Sequence, residues 1–273
     1  MFRAPAFSIS LLAVMFVLFL NGGPDMLFTQ YLQTVLGLSP TQAGMLLIIP
    51  AILALVGTLV APVLTRLMRP AFAMAAGLIV AVGGAALIML TANDASAGIL
   101  IIGVSLISLG GGPAMTIGSE LLVSSVSVER AGSASAMQDV GTGLGNALGI
   151  AFLGSIGMLI YRRGLADSIP QGVSPEETNA AMESIGAAIA VAEQYPAEKR
   201  AELLEAMQAS FTFGIQVVYA IAALGMIMLA IMVVWKLRHL RNDAADSSDS
   251  ENQTDQAVGT DDQNDAKDKV YST

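Results

Sequence analysis

Six long apolar stretches leave this chain essentially one solvent in which to fold. They run from about Phe7 to Thr34, Gln42 to Leu64, Ala71 to Leu90, Ala97 to Val123, Ser135 to Tyr161 and Phe213 to Trp235. Each is near the length that crosses a roughly 30 Å hydrocarbon core as a helix. With 54% hydrophobic and 13% charged residues, the chain cannot be an ordinary water-soluble domain. The strict polar-apolar alternation of a transmembrane barrel is missing, and Leu, Ile, Ala and Met dominate. The expected fold class is therefore an all-α integral membrane protein whose six transmembrane helices form one bundle.

The start, Met1-Phe2-Arg3 followed by "ISLLAVMFVLFL", has the charge and apolar run of a secretory signal. No small-x-small cleavage site follows and the apolar character resumes after "NGGPD", so the segment reads as a retained first span. Cysteine is absent, which excludes disulfides, thiolate metal sites and thiol catalysis.

Lys and Arg in the short connections set the expected orientation. With the N-terminus in the cytoplasm, Arg3, Arg66, Arg69, Arg130, Lys236, Arg238 and Arg241 fall inside. Arg162, Arg163, Lys199 and Arg200 fall outside, flanking one long loop, and the first two are expected to snorkel to the interface. Both termini are thus expected to be cytoplasmic in a multi-pass plasma-membrane protein.

Two regions lie outside the spans. Residues 242–273 hold nine acids against Lys267 and Lys269, which accounts for minus seven of the net charge of minus nine. That segment reads as an acidic, disordered cytoplasmic tail, and residues 1–241 as the six-span bundle. Residues 164–210 read as an outer helical hairpin. Its helix starts are Ser174-Pro175-Glu176-Glu177 and Pro196-Ala197-Glu198, with apolar repeats at Ala181, Ile185, Ala188 and Ile189 and at Leu203, Leu204 and Met207.

Three acids interrupt the spans: Asp25, Glu120 and Asp139. Each costs at least about 2.5 kcal/mol at mid-depth in lipid and should face a bundle interior or a water-filled cavity. No basic residue stands within a span to pair with them. A carboxylate so placed resists losing its proton, and an arriving cation favours the release, so proton and cation compete for one site. Asp139 is followed by Gly141, Gly145 and Gly149 at the four-residue spacing that lets membrane helices approach closely; the alternative is an acid capping the helix start. Asp25 follows Asn21-Gly22-Gly23-Pro24, where a kink with freed carbonyls is expected in the outer half; the alternative is a kink whose acid reaches outer-side water. Glu120, near the inner end of its span, reads as an acid that pairs with Arg130 or meets the interface, the alternative being a coupling role beside Asp139 and Asp25. Gln30, Gln33, Gln138, Asn146 and Tyr31, with Tyr219, are the candidate polar and aromatic groups of a substrate cavity. Methionine is plentiful and suits a surface that receives varied apolar ligands. No catalytic constellation, metal cluster or cofactor motif is found, and the acidic soluble parts exclude nucleic acid as a partner.

Two segments carry a resemblance. "QYLQTVLGLSPTQAGMLLIIP" (Gln30 to Pro50) and "ERAGSASAMQDVGTGLGNALGIAFLGSIGMLIYRR" (Glu129 to Arg163) resemble the C-terminal half of the fourteen-span drug:proton antiporters of the major facilitator superfamily, the QacA/EmrB/SmvA-like group. The likeness covers about Phe2 to Arg241, and the long outer hairpin before the last span is similar too. The resemblance implies that the spans are the family's ninth to fourteenth and that Asp139, in "AMQD", matches a functional acid of the thirteenth. A second acid of that span in some relatives falls on Gly143, and a tenth-span acid has no counterpart between Gln42 and Leu64. "APVLTRLMRP" (Ala61 to Pro70) keeps Arg66 and Arg69 of a loop signature without its Gly-Asp pair. Signatures of the N-terminal half do not occur. The implied function is proton-coupled export of lipophilic and quaternary ammonium cations, with the lipid bilayer, protons and a separate N-terminal half as partners, and inactivity without that half. The competing reading is a non-transporting remnant or a membrane interaction protein.

Overall fold

The computed structural model of the protein describes residues 5–92, 97–170 and 172–237. Residues 242–273, expected to form the acidic tail, lie outside the described residues. The described chain is helical throughout, and six of its helical stretches are long and apolar enough to cross a membrane.

The spans begin where proline can sit without losing a hydrogen bond. Helix α1 covers Pro5–Thr34, α2 Pro40–Leu67, α3 Pro70–Thr91 and α4 Ala97–Ser124. Pro40 and Pro70 occupy first-turn positions, where the missing N–H would have had no helical partner. At α2 the Ser39 hydroxyl accepts from the Gln42 N–H and the Gln42 side chain accepts from the Ser39 N–H, closing a capping box. A 3-10 turn at Val128–Arg130 leads into the fifth span, built of α5 (Ala131–Gly149), a π-helical segment (Ile150–Gly154) and α6 (Ser155–Ser168). Two short helices, α7 (Pro175–Glu183) and α8 (Ile185–Ala192), precede α9, Ala197–Leu237.

Three expectations are refined here. First, α1 is helical through Pro24, and Gly22 and Gly23 are where the fifth span packs closely on it. A Cβ on Gly22 would lie 2.7 Å from the Asn146 carbonyl oxygen, and one on Gly23 would run into Leu153. Second, the fifth and sixth spans extend well past the apolar stretches, because Ala- and Glu-rich sequence continues a helix into water without a break. The second arm of the hairpin is thereby the first part of α9 itself. Third, its first arm breaks at Ser184, whose extended backbone ends α7 and whose hydroxyl accepts from the Ala187 N–H to start α8.

The helices form one bundle with a repeated packing plan. α2 packs on α4, the fifth span packs on α1, and α3 packs on α9 between them. Small residues set these distances. Gly77 and Gly110 face each other's backbones between α3 and α4, and Gly57 meets Leu109 between α2 and α4. Burial is uneven. About half of the most apolar window is buried in α1, α3, α4 and α9 (44 to 56%), against 17% in α2 and 22% in the fifth span.

Candidate functional site

The fifth span has two faces of different chemistry. One is glycine: Gly141, Gly145 and Gly149 are buried against Leu11, Met15 and Phe19 of α1, one turn apart on each helix. A methyl on Gly145 or Gly149 would enter the backbone oxygen of Met15 or Phe19. The register is constant, so the two helices run parallel. The other face is open and partly polar: Ser135, Asp139 and Gly143 are exposed on it, and Asn146 stands exposed at its edge with its amide oxygen toward Gly22 of α1. Nothing lies within 4 Å of a Cβ built on Gly143.

Asp139 therefore stands at the surface of this bundle and not in its interior. The physical reason is the glycine register: with Gly141, Gly145 and Gly149 turned to α1, residue 139 is turned away. α5 starts at Ala131, two turns before Asp139, so the carboxylate does not cap the helix. It accepts no hydrogen bond and makes no ion pair among the described residues; its backbone oxygen accepts from Thr142 Oγ1 at 3.0 Å.

The remaining acids are also exposed, at different depths. Glu120 ends the apolar part of α4 and forms no ion pair with Arg130 among the described residues, contrary to the expected pairing. Its neighbour Ser119 accepts a 2.7 Å hydrogen bond from the Gln138 amide, which puts Glu120 and Asp139 in one layer on adjoining helices. That bond also commits Gln138, expected to line a cavity, to tying α4 to α5. Asp25 lies about 24 Å from that layer along the bundle, by helical rise and the fixed register of α1 with the fifth span. The three acids thus do not form one cluster.

Tyr31 is withdrawn from the cavity. Its ring is 4% exposed and its hydroxyl donates to the Ala92 carbonyl at 3.1 Å, tying the end of α1 to the end of α3. Tyr219 is likewise buried, with a hydroxyl that has no partner among the described residues. Gln33 is half-buried on α1. Asn146 is exposed while its carbonyl and amide oxygens lie against Gly22. Gln30 is half-buried and lines a cleft of about 510 Å³, which sequence reasoning missed.

That cleft lies between α1 (Met26, Gln30), the π-helical segment and α6 (Ile150, Ser155, Met158), and α9 (Phe211), with Glu183 and Ile185 of the hairpin over it. The hairpin is held there by donors aimed at the end of α7. Tyr161 Oη donates to the Ala181 carbonyl and Arg162 Nε to the Met182 carbonyl, both at 3.0 Å. These are carbonyls that a helix C-terminus leaves without internal partners. Arg162, expected to snorkel, is used as a clamp.

A second fastening lies in the hairpin. The Ser174 N–H and Tyr195 Oη donate to Glu177 Oε2 at 2.9 and 2.7 Å, and the Lys199 ammonium sits 4.9 Å from the centre of the Tyr195 ring. Donation from the Ser174 hydroxyl and from Tyr195 pulls the Glu177 carboxyl from its ordinary 4.5 down to about 2.

The family model described as Major Facilitator Superfamily matches residues 1–157. The chain is 32% identical over 233 residues, 85% of its length and 46% of the relative's, to the multidrug efflux pump LfrA of Mycolicibacterium smegmatis. It is 29% identical over 158 residues, 57% of its length, to the multidrug resistance protein Stp of Mycobacterium tuberculosis, of which it covers 29%. The chain spans less than half the length of both curated relatives. A solved bacterial homolog of the human lysosomal transporter Spinster, inward-facing and unoccupied, shares the fold with a TM-score of 0.58 at 18% identity. That match covers 86% of this chain and 49% of the other.

Proposed function

The chain belongs to the Major Facilitator Superfamily, and from that premise we propose that it is the C-terminal half of a proton-coupled multidrug exporter of the fourteen-span, QacA-like type. The observation that carries this reading is the open face of the fifth span, where Asp139 is exposed on a helix otherwise apolar enough to cross the membrane. Such a face is costly against lipid, by about 2.5 to 3.5 kcal/mol for an Asp at mid-depth. It is suited to a water-filled pathway closed by a second bundle. The low burial of α2 and of the fifth span agrees, since these two would meet that partner. Alternating access requires two such bundles rocking about a site between them.

In this mechanism Asp139 holds a proton in the unloaded state. A lipophilic cation entering the pathway favours the ionised carboxylate, the proton leaves, and reprotonation from the other side discharges the cation. Transport does not occur without an N-terminal half, whether on a separate chain or on a longer polypeptide. Both termini are cytoplasmic, the hairpin of residues 164–210 faces outward, and the membrane is the plasma membrane. The names of the two relatives support a multidrug role; the substrate class of lipophilic and quaternary ammonium cations follows from the QacA-like resemblance.

The test is dye efflux from cells expressing the chain alone or with the N-terminal half of a fourteen-span relative. The chain alone should insert and confer no efflux, and the pair should export ethidium against a gradient that a protonophore abolishes. Insertion without any efflux in the pair would favour a non-transporting interaction protein. Cysteines introduced at Ser174 and Ser248 of this cysteine-free chain test the orientation: an impermeant reagent should label only Ser174→Cys in intact cells.

A further inference from the structure

The cleft beneath the hairpin has a composition of its own. Its walls are mostly apolar, from Met26, Ile150, Met158, Ile185 and Phe211, and the single charged residue lining it is Glu183. Arg162, which clamps the hairpin, does not line the cleft; its Nε donates to the Met182 carbonyl, and it makes no ion pair with Glu183 among the described residues. Glu183 is exposed, the last residue of α7, and takes no hydrogen bond among the described residues. A volume of about 510 Å³ accommodates a small polycyclic molecule. The thioethers of Met26 and Met158 adapt to differing shapes. The π-helical segment contributes Ile150 and Gly154, and a turn of that kind widens the spacing of side chains along one face. The cleft lies at the hairpin end of α1, near Gln30, where an amphipathic solute leaving or entering a bilayer collects.

We infer that this cleft is a binding site for an amphipathic organic cation, with Glu183 as counter-ion on the hairpin and the Met, Ile and Phe side chains as the apolar bed. The site is separate from the Asp139 layer, which lies near the opposite end of the fifth span. It deepens the transport reading by giving the exported cation a second station at the hairpin end. The site rests on that reading only for its purpose and not for its chemistry. An anion is disfavoured by Glu183, and a small hydrated cation would find no ring of oxygen ligands among apolar walls.

The experiment uses the purified 273-residue chain in neutral phosphatidylcholine nanodiscs, with tetraphenylphosphonium as the cation and triphenylphosphine oxide as a neutral probe of similar shape. Phosphonium affinity should fall at least fivefold in Glu183→Gln, while the neutral probe binds both proteins alike. Met158→Trp, which fills the cleft, should weaken both probes. Gly186→Cys puts the chain's sole thiol at the cleft, where a new Cβ meets only the Ser184 hydroxyl at 4.0 Å. Phosphonium should slow its maleimide labelling. Helix content and monodisperse elution of Glu183→Gln check that the fold persists. Equal phosphonium affinity in wild type and Glu183→Gln, absence of phosphonium binding by the chain, or unprotected labelling at Gly186→Cys would each overturn the site. Failure of the transport reading shows instead as absent efflux in the paired protein, with this binding intact.

Discussion

Glu177 in the hairpin and Asp139 in the fifth span are both helix carboxylates near the surface, and the chain treats them in opposite ways. Glu177 is surrounded by donors: the capping box with Ser174 and the hydroxyl of Tyr195 hold it ionised down to about 2. Asp139 has none among the described residues, and the helix that bears it is fixed only from behind, through glycines on α1. The first arrangement makes an acid a fastener. The second leaves a carboxylate without a partner on this bundle, which is what the proposed coupling role asks of it.

The largest effect should come from the glycine face, since the orientation of Asp139 depends on it. A Leu at position 145 would drive its Cβ into the Met15 carbonyl region, where a neighbouring backbone cannot yield. Gly145→Leu should destabilise the bundle by about 3 kcal/mol or more and lower the yield of folded protein. Gly143→Ala, on the open face, should change stability by less than about 0.5 kcal/mol. Thermal unfolding in detergent separates the two. Equal tolerance at both positions would mean that the α1 contact does not set the register.

Next comes Asp139 itself. In the protein paired with an N-terminal half, Asp139→Asn should reach the membrane at wild-type level, because an amide keeps the shape and lowers the cost of burial against the partner. Cation-driven proton release and efflux should fall by more than about tenfold, a loss of at least about 1.4 kcal/mol of coupling. Asp139→Glu should keep part of the activity. Wild-type proton release in Asp139→Asn would remove the contrast with Glu177.

Much of this was legible in the sequence, and the exceptions have physical causes. The spans follow from hydropathy and the glycine face from its four-residue spacing. The true ends of the fifth and sixth spans do not, because hydropathy marks where lipid ends while "AGSASAMQ" and "AEKRAELLEAMQAS" continue the helix beyond it. Ser184 is a readable start signal, a hydroxyl residue before an apolar run, but Ala181, Ile185 and Ala188 keep helical spacing across the break and mask it. The bond from Tyr31 to Ala92 joins groups 61 residues apart, and only the assembled bundle decides it. The π-helical segment "IAFLG" carries no proline or polar break that would announce it.

The hairpin fastening gives a smaller, pH-dependent effect. Because the Glu177 carboxyl is depressed in the folded state, its contribution is fully present above its ordinary 4.5 and is lost as pH falls from there through about 2. Hydrogen exchange of the α7 amides should therefore be steady from pH 7 to 5, after correction for intrinsic rates, and accelerate below about 4.5. Tyr195→Phe removes one donor, so the loss should be complete at a higher pH than in the wild type. Identical profiles in the two proteins would show that the capping box holds Glu177 without Tyr195.

The mildest change should be at Glu120, which tests whether the acid layer contains one working carboxylate or two. Ser119 is bound to Gln138, so Glu120 and Asp139 sit at one level on adjoining helices, and neither has an ion-pair partner among the described residues. If Asp139 alone exchanges protons, Glu120 acts on it only through its field, an exposed neighbouring charge contributing no more than about 1 kcal/mol. Glu120→Gln in the paired protein should then lower efflux less than about fivefold. Gln138→Ala, which cuts the tie to Ser119, should reduce even that effect by letting the helices separate. A loss in Glu120→Gln as deep as in Asp139→Asn, with no further loss in the double variant, would show the two carboxylates to be a single proton-sharing pair.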